Sequence, residues 1–190
     1  DGGACEPTRS NDVILDVNED IVINTQPISP IGSVCTGDDI IFTVIATGDI
    51  ASYVWRRGGI PITEGNYLDF STNTLTIRDV TISNAGSFDV VISGTGGSCP
   101  QIISNPALLT IIPNVAVPVF TSGATAVCQD APDGAYTATA ENSTSIAYSV
   151  SPINAGNINQ STGLMNWDPD FTGTATITAT AQGCNGPTTA

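Results

Sequence analysis

Three features of this 190-residue chain predict an all-β fold of tandem β-sandwich domains in an extended array. Gly, Thr, Ser, Asn, Val and Ile dominate, and long stretches rich in Ala, Leu, Glu and Lys are absent. That bias favours strands and turns over helices. Short apolar runs recur at regular spacing with Gly, Asn and Asp between them, which is a sandwich pattern. Finally, one cysteine-headed passage occurs twice. Gly2-Gly3-Ala4-Cys5 runs on through Pro7, Ser10-Asn11 and Val13-Ile14-Leu15-Asp16-Val17. Gly96-Gly97-Ser98-Cys99 runs on through Pro100, Ser104-Asn105 and Ala107-Leu108-Leu109-Thr110-Ile111.

The second copy closes a complete domain, so the first is expected to be the tail of a preceding one. This divides the chain into residues 1–27, the last strand or strands of a truncated domain; 28–113, a sandwich; and 114–190, a second sandwich of different texture. In 28–113 the expected strands are Ile40–Ala46, Tyr53–Arg57, Leu75–Ile77, Ser87–Ile92 and Ala107–Ile112. In 114–190 they are Tyr136–Ala140, Tyr148–Val150, Leu164–Trp167 and Thr174–Thr180, with a final strand expected just past Ala190. Gln26-Pro27 and Pro113-Asn114 with Pro118 mark the junctions. Such short, proline-bearing links favour a stiff string of beads.

Charge and cysteine content narrow the function classes. Four arginines (Arg9, Arg56, Arg57, Arg78) face 18 carboxylates, and Lys and His are absent, for a net charge of −14. So acidic a surface repels phosphate backbones and anionic lipid, which argues against nucleic-acid or membrane-surface partners. No apolar run is long enough to span a bilayer. With no histidine and no C-x-x-C spacing, the five cysteines point to disulfides in an oxidising compartment rather than to zinc. Each domain carries one cysteine near its start and one near its last hairpin. The pattern predicts the pairs Cys35–Cys99 and Cys128–Cys184. Cys5 is left with a partner upstream, or as a free thiol. A staple closing a loop of that length contributes about 4 kcal/mol in the chain-entropy model.

Residues 28–113 resemble the immunoglobulin-like domains of large surface proteins of Bacteroidota. Trp55 follows Val44 at the spacing that separates the first core cysteine from the core tryptophan in such domains. Leu75-x-Ile77 to Asn84-Ala85-Gly86-Ser87-Phe88-x-Val90 is similar to the L-x-I…D-A-G-x-Y-x-C signature. Val44 and Val90 stand where the inter-sheet cysteines would be, and Phe88 replaces the corner tyrosine. The corner hydroxyl is thereby lost, while the core around Trp55 is expected to survive on apolar packing. Residues 114–190 resemble the PKD-like modules of the same proteins, through Cys128-Gln129, Tyr136–Ala140, Ala155-Gly156, Ser161-Thr162-Gly163, Trp167, Thr172–Ile177 and Gly183–Pro187. The resemblance implies a secreted or cell-surface adhesin of the gliding-motility or type IX-secreted kind. Its partners would be neighbouring domains of the same long chain and other copies in a filament.

Chemistry-bearing clusters have ordinary explanations. A serine or cysteine triad needs a base that this chain cannot supply, so no catalytic residue is assigned. Asp168 and Asp170 flank Pro169 as turn formers rather than as an acid–base pair. Asp38-Asp39, Asp130 and Asp133 lack the alternating pattern of a calcium loop and read as solvated turn carboxylates. No metal or cofactor is assigned. The Arg56-Arg57 doublet either clamps an acidic ligand or pairs with neighbours such as Glu64 or Asp69; the latter is favoured. Trp55 and Trp167 are expected to fill cores. Two readings remain beside the adhesin repeat. A glycan-binding accessory module predicts an exposed aromatic cluster, with surface glycans as partners. A strand-exchanging polymer subunit makes Val13–Val17 a candidate donor strand.

Overall fold

The computed structural model describes residues 11–15, 17–95 and 100–190, and its strands build two β-sandwiches in tandem. In the first, one sheet holds β1 (Val22–Thr25), β3 (Ile40–Thr43), β4 (Ile45–Thr47), β7 (Tyr67–Leu68) and β8 (Thr74–Ile77). β1 pairs with β4, β3 with β8 and β7 with β8, all antiparallel. The facing sheet holds β2 (Val34–Cys35), β5 (Ile50–Arg57), β6 (Ile60–Pro61), β9 (Gly86–Gly94), β10 (Ile102–Ile103), β11 (Ala107–Leu109) and β12 (Ile111–Ile112). β5 and β9 form its spine, β10 and β11 continue along β9, and β12 runs parallel to β2. Strands β3 and β4 are one run interrupted at Val44, whose amide instead donates to the Asn73 carbonyl (3.0 Å).

Alternation along these strands drives Phe42, Trp55, Leu75, Ile77, Phe88, Val90 and Ile92 into one core. Val44 and Val90 are fully buried, and Phe88 stacks on Phe42 with centroids 5.1 Å apart. The Trp55 indole N–H donates to the Thr72 carbonyl (3.0 Å), so its polar edge is satisfied inside the sandwich.

One boundary differs from expectation. Residues 22–25 do not stand with a preceding domain: β1 belongs to the first sandwich, and Ile21 and Ile23 pack against its core. Gln26-Pro27, expected as a linker, is where the chain passes from one sheet to the other. Pro27 is buried, Gln26 Oε1 accepts from the Asn105 amide (2.8 Å), and Ser29 Oγ accepts from the Leu108 amide (2.8 Å). A proline that kinks a strand between sheets has the same local composition as a linker proline.

The second sandwich repeats the plan with a smaller core. β13 (Val119–Ser122) pairs with β15 (Thr137–Thr139), and β14 (Gly134–Ala135) with β18 (Leu164–Trp167), which also pairs with β17 (Gly156–Ile158). Facing them, β16 (Ser145–Ser151) pairs along its whole length with β19 (Thr176–Gln182), and β20 (Thr188–Thr189) pairs with the far end of β19. β20 thus takes the place on β19 that β10 takes on β9 in the first sandwich. Tyr136, Tyr148, Ile158, Met165 and Ala179 form the core. Gly163, in the left-handed region (φ +69°), closes the hairpin before β18, where a Cβ would collide with the Tyr136 carbonyl.

Candidate functional site

Two places carry more than sandwich packing: the joint between the two units and a groove beside β19. At the joint, Cys35 is bonded to Cys184 with a Cα–Cα separation of 5.5 Å, across 149 residues of chain. Asn185, whose left-handed backbone (φ +53°) turns the hairpin, donates from Nδ2 to the Thr36 carbonyl and to Asn114 Oδ1 (both 3.0 Å). Val115 donates its amide to the Cys184 carbonyl (2.9 Å) and is buried against Gly183 and Gly186. A Cβ on either glycine would meet Val115 at under 3.0 Å, so these small residues let the hairpin seat on the junction.

This corrects the expected pairings Cys35–Cys99 and Cys128–Cys184. The parallel register of β12 on β2 sets Cys35 opposite Ile112, at the end of the first sandwich where Leu109 faces Gly86. β9 then runs away from that end to Gly94, about 25 Å at the rise of a strand. Gly94 is therefore at the opposite pole from Cys35. The hairpin of the second sandwich that carries Cys184 abuts Cys35 instead. Cys5 and Cys99 lie outside the described residues. Cys128 is exposed and has no partner among the described residues.

The charged candidates are occupied locally. Arg56 forms a two-pronged pair with Asp89, directly across β5 and β9 (2.7 and 2.9 Å), not with Glu64 or Asp69. The hydrogen bond to Asp89 raises the Arg56 pKa above its ordinary value, against an opposing effect of burial. Arg57 donates to the Tyr67 hydroxyl (3.2 Å) and to the Ser83 carbonyl. Asp38 Oδ2 caps the Cys35 amide (2.7 Å), Asp39 accepts from the Asp79 amide (2.9 Å) and pairs with Arg78, and Asp133 accepts from Asn166 Nδ2 (2.7 Å). Asp168 Oδ1 accepts from the Asp170 amide (2.9 Å), as a turn residue does. Among the described residues no group of three or more acidic or cysteine side chains converges as a cation would require.

The groove, of about 910 Å³, lies between the edge of β19 and the segment 124–128. Phe120, Val127, Tyr136, Trp167, Phe171 and Ile177 are among its lining residues. Trp167, expected to be core, is only half-buried and meets Tyr136 edge-on (6.5 Å, 72°). The Tyr136 hydroxyl donates to the Ala124 carbonyl (2.9 Å), and burial raises its pKa above 10.0. Sequence reasoning did not single out this groove. Its signal was present in the repeat, since Val127-Cys128 recurs as Val34-Cys35.

No protein-family model matches the sequence, and no curated protein matches it. Solved structures do match the fold. Sidekick-1 immunoglobulin domains 1–4 superimpose with a TM-score of 0.58 at 19% identity, over 94% of this chain and 49% of that one. Rst D1-D2 gives 0.54 at 12% identity, over 90% and 97%. The extracellular domains 3–5 of Drosophila OTK give 0.51 at 15%, over 93% and 62%. The chain spans less than half the length of the Sidekick-1 structures it matches. It is a tandem of immunoglobulin-like β-sandwiches.

Proposed function

We propose that the chain is a structural segment of a large extracellular adhesion or fibre-forming protein, in which sandwiches coupled end to end carry other parts away from a surface. The observation that carries this reading is the Cys35–Cys184 bond with its Asn185 bridge. A staple across the joint restrains how one unit sits on the next, which is what a spacer needs. It also favours an oxidising, extracellular compartment. The resemblance to Bacteroidota surface modules supports an adhesin of that group.

Small-angle scattering tests the reading. The oxidised chain should fit one defined arrangement of the two units, and Cys184→Ser should broaden it into a distribution. An oxidised chain that already samples that distribution would remove the spacer role. A glycan-accessory reading draws on the aromatic groove. Its rings meet edge to face rather than forming a flat platform, and the Tyr136 hydroxyl is already committed. That favours the spacer.

A further inference from the structure

The joint at Cys35 has two halves, a receiving turn and an inserted hairpin. Cys35-Thr36-Gly37-Asp38 closes on itself through the Asp38 amide and the Cys35 carbonyl (3.1 Å), with Gly37 in the left-handed region (φ +95°). The turn offers two groups to the neighbouring unit. The Cys35 sulfur is bonded to Cys184, and the Thr36 carbonyl accepts from Asn185 Nδ2 (3.0 Å). The inserted half is the hairpin around Cys184, in which Asn185 directly follows the cysteine.

The receiving half recurs in the second sandwich. Val127-Cys128-Gln129-Asp130-Ala131 stands as Val34-Cys35-Thr36-Gly37-Asp38 does. Its turn closes in the same way, through the Ala131 amide and the Cys128 carbonyl (3.2 Å), and Asp130 takes the left-handed place of Gly37 (φ +60°). Aspartate is one of the few residues that tolerate that conformation. The position in the sandwich agrees too. β19 is the counterpart of β9, since β20 pairs with it as β10 pairs with β9. Cys35 lies at the end where β9 starts, and Cys128 lines the groove with Thr174 and Ala175, just ahead of the first residue of β19. Cys184 follows the last residue of β19, so the second sandwich carries these two cysteines at opposite poles, about 23 Å apart at the rise of a strand. Cys128 thereby differs from an incidental surface thiol: its counterpart in the same molecule holds a neighbouring sandwich.

We propose that the turn at Cys128 is a second receiving half, and that its occupant is the cysteine hairpin of another immunoglobulin-like unit, held by a disulfide and by a side-chain amide donating to the Gln129 carbonyl. The bond forms by exchange with a disulfide oxidant. The Cys128 thiolate displaces one thiol from the oxidant, and the hairpin's thiolate then displaces the other. Two protein thiols are oxidised and one disulfide is reduced to two thiols. With receiver and hairpin at opposite poles, the contact is head-to-tail, and the same covalent joint repeats along an array. This deepens the spacer reading. It rests on the geometry at Cys35–Cys184 but not on the stiffness that scattering measures.

Exchange between copies tests it, with the Cys184 hairpin of a second copy as the probe. A Cys5→Ser, Cys35→Ser, Cys99→Ser chain keeps only Cys128 and Cys184. Equilibrated at high concentration in a glutathione redox buffer, its copies can join as 128–128, 128–184 or 184–184, and mass spectrometry of the chymotryptic fragments counts each link. A hairpin must leave its own first sandwich for either kind of link. Comparing mixed links with the geometric mean of the two symmetric ones therefore cancels that cost. Mixed links should exceed random pairing by about tenfold or more, and Asn185→Ala should bring them back towards random. The proposal is overturned by random proportions, by no links between copies, by an excess that survives Asn185→Ala, or by a Cys128–Cys184 bond within one chain. Random pairing beside a single arrangement in scattering would remove this proposal alone; an excess beside a broad distribution would remove the spacer reading alone.

Discussion

Phe88 shows how single residues here replace a familiar solution with another. The aromatic ring of the corner position is kept, fully buried between Phe42 and Tyr67, but its hydroxyl is gone. Asn84 holds the corner instead. Its Oδ1 accepts from the Thr81 amide (2.8 Å), and its Nδ2 donates to Asn66 Oδ1 (3.0 Å) and the Tyr67 hydroxyl (3.2 Å). Asn84→Ala removes a buried side chain and leaves the Thr81 amide, Asn66 and the Tyr67 hydroxyl without these bonds, and should cost about 1–3 kcal/mol in urea unfolding. Phe88→Ala, which empties the core, should cost about 3–5 kcal/mol. Tyr136 gives a pH signature. Its folded pKa is raised by burial, so the neutral form is the one the second sandwich favours. Stability should be flat below the ordinary tyrosine value of 10.0 and fall as pH rises through the folded value. Comparing Tyr136→Phe with the parent across that range should show the alkaline fall reduced.

Strands were the most legible level of this sequence, because alternation of apolar residues with Thr, Ser and Asn fixes which face of each is buried. Ile40 to Ala46, Tyr53 to Arg57 and Leu164 to Trp167 all lie on strands, although Val44 interrupts the first. What local pattern could not supply was the partner of each strand. Val22–Thr25 carries no mark that assigns it forward rather than backward, and Pro27 is equally at home in a linker. The repeated passage makes the same point through burial. Leu109 is buried beneath β9, and Leu109→Ala should cost about 2–5 kcal/mol. Its repeat, Leu15, is exposed, so Leu15→Ala in dilute solution should stay within about 0.5 kcal/mol. Equilibrium unfolding of the two variants side by side measures whether burial, and not the strand sequence, decides the energy.

Across the whole molecule the cysteines set the mechanical character, and here sequence spacing misled. A cysteine at each domain's start and one at its last hairpin suit an intradomain staple if only chain intervals are considered. The structure instead bonds Cys35 to Cys184, with β12 running parallel to β2 at the Cys35 end and Gly94, the end of β9, at the opposite pole. The same poles bring Cys35 of one unit against Cys184 of the next. Closing a 149-residue loop contributes about 5 kcal/mol in the chain-entropy model, here spent on the joint as well as on the folds. With a net charge of −14, neighbouring units repel, and a covalent joint holds them together independently of salt. Disulfide mapping of the unreduced chain by chymotryptic digestion, which cleaves between Cys99 and Cys128 at Leu108, Leu109 and Phe120, and mass spectrometry tests this most directly. A fragment joining Cys35 to Cys184 is the predicted result; fragments joining Cys35 to Cys99 and Cys128 to Cys184 would contradict the account.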